Sequence, residues 1–420
     1  MVMTAAVNVD TTACKPVAVS PPGHERHAIA QYAAVVLLGV AGYSMAAIKP
    51  LVITSYVADF GLSTRVAGYV LGAEMISMAV GVLLAAALMA RTLGRRYVLL
   101  ALLIILVGDV GSIVSGTGLA LYGFRVLAGL GHGFALGRLA AAIAAFKHPD
   151  RASGIYTVCS KAYAAAFAFL LPTLQWLLGP GALFTIGVVA AVAALGTLRW
   201  LPVNSTTSPV SSASGTQRVV NRLPFRTLAL VGVAASFYYL SIGVYWAFVG
   251  QFSASTVLDS AAKTRIIGWS SLIGILGASI SIIVSDRFGR FGLITGLLGL
   301  QLISVASLFF AGESIPQYAL SLWAYLFAWL ALFPYLLGLM SRIDPIGRLN
   351  GLLYGVTSVA FAVGPIFSGW LIGHSATERL GLDRVQEVSF VLMLVAAGLL
   401  ICLAGRYREL PPQYDTASSF

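Results

Sequence analysis

Of the 420 residues, 59% are hydrophobic and only 10% are charged, and the mean hydropathy is +0.90. A soluble domain of this length needs far more charge to cover its surface, so a water-soluble globular protein is excluded. The formal charge of +11 would point to nucleic acid on a soluble chain, but here its cause is the distribution of the arginines, and no nucleic-acid partner is expected.

Residues 1–27 are polar, carry Pro21, Pro22 and Gly23 and have no apolar core or cleavage-like site. They read as a disordered tail and not as a secretory signal. Apolar stretches of about 20 residues, enough to cross a hydrocarbon core of roughly 30 Å, then recur along the chain. They fall near 30–57, 66–90, 97–115, 118–146, 154–176 and 182–200, and again near 227–251, 265–285, 292–311, 316–340, 351–373 and 386–405. The interior polar stretch 203–226, rich in Ser, Thr, Asn and Pro, is a flexible linker by composition. The expected organisation is a tail (1–27), a six-helix bundle (28–202), the linker (203–226), a second six-helix bundle (227–406) and a tail (407–420). Cys14, Cys159 and Cys402 are scattered, so neither a metal site nor a disulfide framework is expected, and no cofactor.

Orientation follows from the cations. With both termini cytoplasmic, 17 Lys and Arg residues fall on the inner side, from Lys15 and Arg26 to Arg406 and Arg408. Only five (Arg65, Lys263, Arg265, Arg379 and Arg384) fall outside. The remaining four lie within helices. The positive charge is thus a topology signal, and the chain reads as a multi-pass protein of the inner or plasma membrane in contact with lipid.

The halves repeat. Leu93-Gly94-Arg95-Arg96 after the second segment matches Phe288-Gly289-Arg290 after the eighth, an offset of 195 residues. Asp150-Arg151 with Gly154 and Tyr156 matches Gly347-Arg348 with Gly351 and Tyr354, Arg151 lying 197 residues before Arg348. Duplicated halves are how many transporters build a midplane site that opens to alternate sides.

Together these features resemble the major facilitator superfamily over roughly residues 30–405. Its loop signature after helix 2, G-x-L-A-D-R-x-G-R-R, stands here as Ala87-Leu88-Met89-Ala90-Arg91-Thr92-Leu93-Gly94-Arg95-Arg96, with Arg91 in place of the acid. The copy Ser285-Asp286-Arg287-Phe288-Gly289-Arg290 keeps the acid. The resemblance implies that Gly94, Arg95, Arg96, Asp286, Arg287, Gly289 and Arg290 form a gating latch resting on the second copy. Arg125-Val126-Leu127-Ala128-Gly129-Leu130-Gly131-His132-Gly133 resembles the family's R-x-x-x-G-x-G-x-G pattern, whose arginine serves proton coupling or substrate. Helix 5 has only Leu171-Pro172 where drug–proton antiporters carry G-P-x-x-G, which weakens an efflux assignment. The family also implies the fold: an all-α integral membrane protein of 12 transmembrane helices, in two pseudo-symmetric six-helix bundles around a central cavity, working as a monomer.

An ionisable residue inside a spanning helix costs about 2.5–3.5 kcal/mol on insertion scales, so each needs a partner or a role. Six qualify, all in the first half: Lys49, Glu74, Asp109, Arg125, Arg138 and Lys161. Counting from the loops pairs Lys49 with Glu74 and Asp109 with Arg125. Such pairing would keep both carboxylates ionised. Arg138 and Lys161 lie at matched depth with no acid in view, and Arg125 and His132, seven apart, share a helix face. The net positive pair predicts an organic anion or acid-bearing molecule held near Arg138 and Lys161. The second half offers aromatics instead: Tyr238, Tyr239, Tyr245 and Trp246 on helix 7, and Tyr325 and Trp329 on helix 10. Helices 1, 4, 7 and 10 line the cavity in the family, so the expected substrate-binding set is these six with Arg125, His132, Arg138 and Lys161. Glu74, Asp109 and Lys49 form the expected proton-coupling set.

The resulting expectation is a small solute moved by alternating access and driven by a proton gradient, because the sequence has titratable groups in the membrane and no G-x-x-x-x-G-K-[ST] loop for ATP. No nucleophile or acid–base constellation points to an enzyme. A broad-specificity drug or metabolite exporter, an uncoupled facilitator and a non-transporting receptor of the same shape are the alternatives.

Overall fold

The computed structural model describes residues 22–89, 94–116, 118–144, 146, 149–202, 225–252, 258–284, 290–311, 314–343 and 348–407. Most of the linker (203–224), the latch residues Asp286, Arg287 and Gly289, and the tail beyond Tyr407 lie outside these. Every described α-helix runs through an expected span or its flank. The first half contains α1 (Pro22–Ala47), α2 (Lys49–Ala58), α3 (Thr64–Met89), α4 (Arg95–Ser115), α5 (Leu119–Ala144), α6 (Pro149–Leu178) and α7 (Thr185–Thr197). The second contains α8 (Phe225–Trp246), α9 (Ser260–Val284), α10 (Arg290–Phe309), α11 (Ile315–Ile343), α12 (Arg348–Gly373) and α13 (Glu378–Arg406). Eleven segments among the described residues are long and apolar enough to cross a membrane. The twelfth span is α9, which opens with Lys263 and Arg265 and packs along α6 and α11.

Two boundaries differ from expectation. The first helix starts at Pro22, inside the stretch read as tail, because proline is well tolerated in a first turn. The span expected over 30–57 is also two helices. Pro50 follows Lys49 and has no N–H, so the ladder cannot run through it. Ile48 leaves the helical region (φ −116°, ψ 25°), its N–H bonds Met45 O at 3.2 Å, and its own carbonyl accepts from Leu51 and Val52. The first helix of the second half breaks at the equivalent place. α8 ends at Trp246, 199 residues after Ala47, and passes through a turn into a 3-10 segment at Val249–Gln251.

The halves share one packing plan. In the first, α3 and α4 pack on α5, α1 on α6 and α7, and α4 on α7. In the second, α9 and α10 pack on α11, α8 on α12 and α13, and α10 on α13. The halves meet through α3 on α12 and α6 on α9, a pair that the pseudo-symmetry exchanges. With twelve spans both chain ends share one face, and the contacts between halves lie toward the other. There Gly68 abuts the Pro365 carbonyl, Gly369 abuts that of Arg65, Thr64 donates to the Glu378 carboxylate, and Gln251 reaches Thr54 at 3.4 Å.

The glycines of the fourth span explain how α5 sits so close to its neighbours. A side chain at Gly129 would strike Ser77 and the Glu74 carbonyl, and one at Gly133 the Met78 carbonyl, both on α3; Gly131 faces Ala101 and Ile105 on α4. Small residues let helix backbones touch in lipid, where water does not drive them together. Gly123, on the same helix, meets nothing within 4 Å. Substituting Gly123→Ala should therefore raise the melting temperature in detergent, by up to the roughly 1 kcal/mol of helix propensity gained. Gly133→Ala should lower it, and differential scanning fluorimetry reads both signs.

Candidate functional site

The close approach of α5 to α3 and α4 carries charge into the interior. Arg125, with no exposed side-chain surface, sits where three helices converge. Its Nε donates to Glu74 Oε2 at 3.1 Å and its Nη2 to Glu74 Oε1, a bidentate fork. Its Nη1 donates to Asp109 Oδ1 at 2.7 Å and to Ser112 Oγ at 3.3 Å. The Phe184 ring centroid lies 4.8 Å from the guanidinium carbon. Fork geometry and charge assistance make such contacts the strong ones.

This corrects the expected pairing. Asp109 does pair with Arg125, but Glu74 pairs with Arg125 too and not with Lys49. Loop counting matched depths along the membrane normal and was blind to the angular position that the glycines of α5 impose. Arg125 is also wholly occupied, leaving none of its surface open to a solute. His132, on the same face as Arg125, points Nδ1 at Glu74 Oε1 (3.8 Å) and Nε2 at Ser44 Oγ (3.3 Å), which ties α1 to the group.

The two carboxylates are not held alike. Glu74 takes both arms of the fork, whereas Asp109 Oδ2 is buried with no hydrogen-bond partner among the described residues. Gly187 on α7 lies against it, and a Cβ there would collide with Oδ2. The Tyr56 hydroxyl, likewise buried and without a bond, feels the charges of Arg125, Glu74 and Asp109. One cation facing two anions leaves the group at −1 when all three are ionised.

Lys49 opens α2 immediately after the helix break and is buried, 3% exposed. Among the described residues it makes no salt bridge. Its Nζ rests 3.9 Å from the ring centroid of Phe361 on α12, so this lysine of the first half touches the second. Lys161 on α6 is half-buried, and its Nζ lies 5.5 Å from the ring centroid of Tyr43. The Lys49 ammonium is within electrostatic reach of both Lys161, which repels it, and Glu74, which attracts it. The pair of cations in mutual reach is therefore Lys49 and Lys161. Arg138, half-buried, keeps its Nε buried without a hydrogen bond.

From Phe361 an aromatic surface runs through the second half: Trp329 at 5.7 Å between centroids, then Trp246 at 6.2 Å, with Tyr325 stacked on Trp246. Of the aromatics singled out from sequence, Trp329 is the one left half-exposed. Tyr238, Tyr239, Tyr245, Trp246 and Tyr325 are buried, and Tyr238 donates to Gln301 within the bundle. These five back the wall. Sequence reasoning missed Phe361, Tyr43 and Ser44, which carry no charge to mark them. The Lys49-Pro50 step was a readable signal of the break. Of the loop residues, Gly94, Arg95 and Arg96 are exposed or half-exposed at the head of α4, with Arg95 Nη2 3.5 Å from Leu201 O. Arg290 opens α10.

A model of the Major Facilitator Superfamily matches residues 34–345. A search of curated proteins finds no match. Among solved structures the chain is similar to a D-xylose–proton symporter, with TM-score 0.67 and 18% identity over 88% of this chain and 97% of that one. It is similar to the nucleoside transporter NupG, with TM-score 0.65 and 14% identity over 88% and 98%. A bacterial homologue of the human lysosomal transporter Spinster, in an inward-facing and occupied conformation, gives TM-score 0.64 and 14% identity over 92% and 98%. At these identities the likeness is one of fold.

Removing one partner from a buried charge group leaves the others uncompensated, at about 3–5 kcal/mol. Arg125→Leu should thus lower stability by about that amount, and adding Glu74→Gln should restore part of it, because one of the two stranded carboxylates is then neutral. A double-mutant cycle on detergent-solubilised protein measures the coupling.

Proposed function

Since the chain belongs to the major facilitator superfamily, we propose that it is a secondary active transporter that carries a small acid-bearing solute together with a proton, by alternating access of its two halves. The supporting observation is the division of charge: Arg125 engages both membrane acids, while Lys49 and Lys161 have no salt bridge among the described residues. The solute's acidic group binds at those two lysines, with Lys161 retained from the sequence expectation and Lys49 taking the place given there to Arg138. Both termini lie in the cytoplasm of a cell whose inner or plasma membrane holds the protein, as the 17-to-5 division of cations supports.

Asp109 is the better proton carrier of the two acids. Protonating Glu74 would break a bidentate fork, whereas Oδ2 of Asp109 is bare and accepts a proton while Oδ1 keeps its bond to Arg125. The coupling then follows from charge. With both acids ionised, the −1 of the group partly offsets Lys49. Once Asp109 is protonated the group is neutral, Lys49 stands uncompensated, and an anion binds there more strongly. By reciprocity, a bound anion favours the proton on Asp109 by the same factor. The empty deprotonated carrier and the fully loaded carrier are then the two favoured forms, which supports symport over exchange.

Breaking the first helix at Lys49 and its counterpart after Trp246 supports the same placement, since interrupted helices in corresponding positions of two repeats mark the midplane sites of transporters. Rocking the halves about the contact of α3 with α12 and α6 with α9 would separate Lys49 from Phe361 or bring them together.

In proteoliposomes, an inward proton gradient should drive accumulation of an organic acid, and affinity should rise as pH falls. Asp109→Asn should flatten that pH dependence while uptake down the solute's own gradient persists. Lys161→Ala should weaken affinity about tenfold or more, as expected for loss of a charged contact. Accumulation indifferent to the gradient in the natural protein would make it an uncoupled facilitator, and efflux against an inward gradient would make it an exporter.

A further inference from the structure

The chemistry around the two lysines narrows the solute. In the loaded carrier, with Asp109 protonated, Glu74 and Arg125 cancel, and Lys49 and Lys161 are the cations that face the solute's acid. The amino end of α2 adds little, because Pro50 has no N–H and those of Leu51 and Val52 already bond Ile48 O at 2.8 and 3.1 Å. The lysines are the anchors.

What adjoins the lysines is aromatic. Lys49 Nζ lies over the face of Phe361 at 3.9 Å, the resting place of an ammonium with no anion to bind. A carboxylate arriving between Lys161 and Lys49 draws the ammonium off and bares that face. Phe361 and Trp329 are both half-exposed, and their planes are inclined at 51°, so together they present one face and one edge. A flat ring fits such a corner by offset stacking on one wall and edge contact with the other. Trp246, at 68° to Trp329, extends the surface away from the lysines. Charge and apolar surface are therefore adjacent and in sequence: a cationic pole, then a ring-sized aromatic corner.

We infer that the cargo is an aromatic carboxylate, its carboxylate between Lys161 and Lys49 and its ring against Phe361 and Trp329. This rests on the placing of an acid-bearing solute at the lysines proposed above, and it adds the class of the solute's body.

Calorimetric titration of the purified full-length protein with three small probes tests it. Benzoate carries the acid and the ring, benzamide the ring without charge, and cyclohexanecarboxylate the charge without aromaticity. Benzoate should bind about tenfold or more tightly than each of the others, and Lys161→Gln should abolish its advantage over benzamide. Trp329→Leu should erase its advantage over cyclohexanecarboxylate. The comparison of probes on the natural protein carries the test even if that variant fails to fold. Equal binding of cyclohexanecarboxylate and benzoate, with benzamide silent, overturns the aromatic class and leaves the anion site standing. Benzamide binding as well as benzoate, or no binding of any probe, overturns the anion site itself and this inference with it.

Discussion

Among the described residues, the two acids buried in the first bundle are organised around one guanidinium. Arg125 joins α5 to α3 through Glu74 and to α4 through Asp109, and it does so from a position with no exposed side-chain surface. Three ions out of water are tolerated because the fork geometry satisfies Glu74 fully and Ser112 takes a further donor. The glycines make this possible. A side chain at Gly129 would occupy the space between α5 and the Glu74 backbone, and Arg125 would be held away from its acids. Gly187 does the same for Asp109 on the side of α7. The family-like run of alternating glycines in α5 is thus a device for bringing backbones together so that charges can meet.

That arrangement has a consequence outside itself. Two acids on one base leave a negative remainder, and Lys49 is the buried cation that senses it. Lys49 is on no regular helix turn but at the break before Pro50, and it reaches across to Phe361 in the other half. A charge state set deep in the first bundle therefore bears on a contact between bundles. The equivalent break after Trp246 places Gln251 and Gly250 beside Thr54, so both interrupted helices take part in the contact between the halves.

The twelve spans and the duplication were well legible in the sequence, because hydropathy and loop charge are one-dimensional signals. It also showed that the ionisable residues lie in the first half and the aromatics in the second. Partnership was less legible. Arg125 with Asp109, and His132 on the face of Arg125, could be read from spacing along and between neighbouring helices. Glu74 could not, since its depth suits Lys49 equally well and only the rotation of α3 against α5 decides between them. Phe361 was invisible for a different reason. It is one of 21 phenylalanines, and nothing in its neighbourhood along the chain marks it as the residue under a lysine. Burial divided the aromatics in the same unpredictable way: Trp329 is half-exposed, while Tyr325, four residues before it on α11, and Tyr245 beside Tyr325 are closed off.

The asymmetry between the halves has a physical rationale in alternating access. A site made of matched ion pairs across the interface would hold the halves together in every state, since separating opposite charges in a low dielectric is costly. Here the cation of one half faces a ring of the other. A cation resting on an aromatic face is attracted, but far less than to a carboxylate, so the contact of Lys49 with Phe361 is one that rocking can break. In the transport cycle proposed above, a carboxylate entering from solution supplies the strong interaction and leaves with the solute. On that proposal the protein keeps its permanent ion pairs within one bundle, where they need never separate, and leaves to the cargo the charge that would otherwise lock the two bundles to each other.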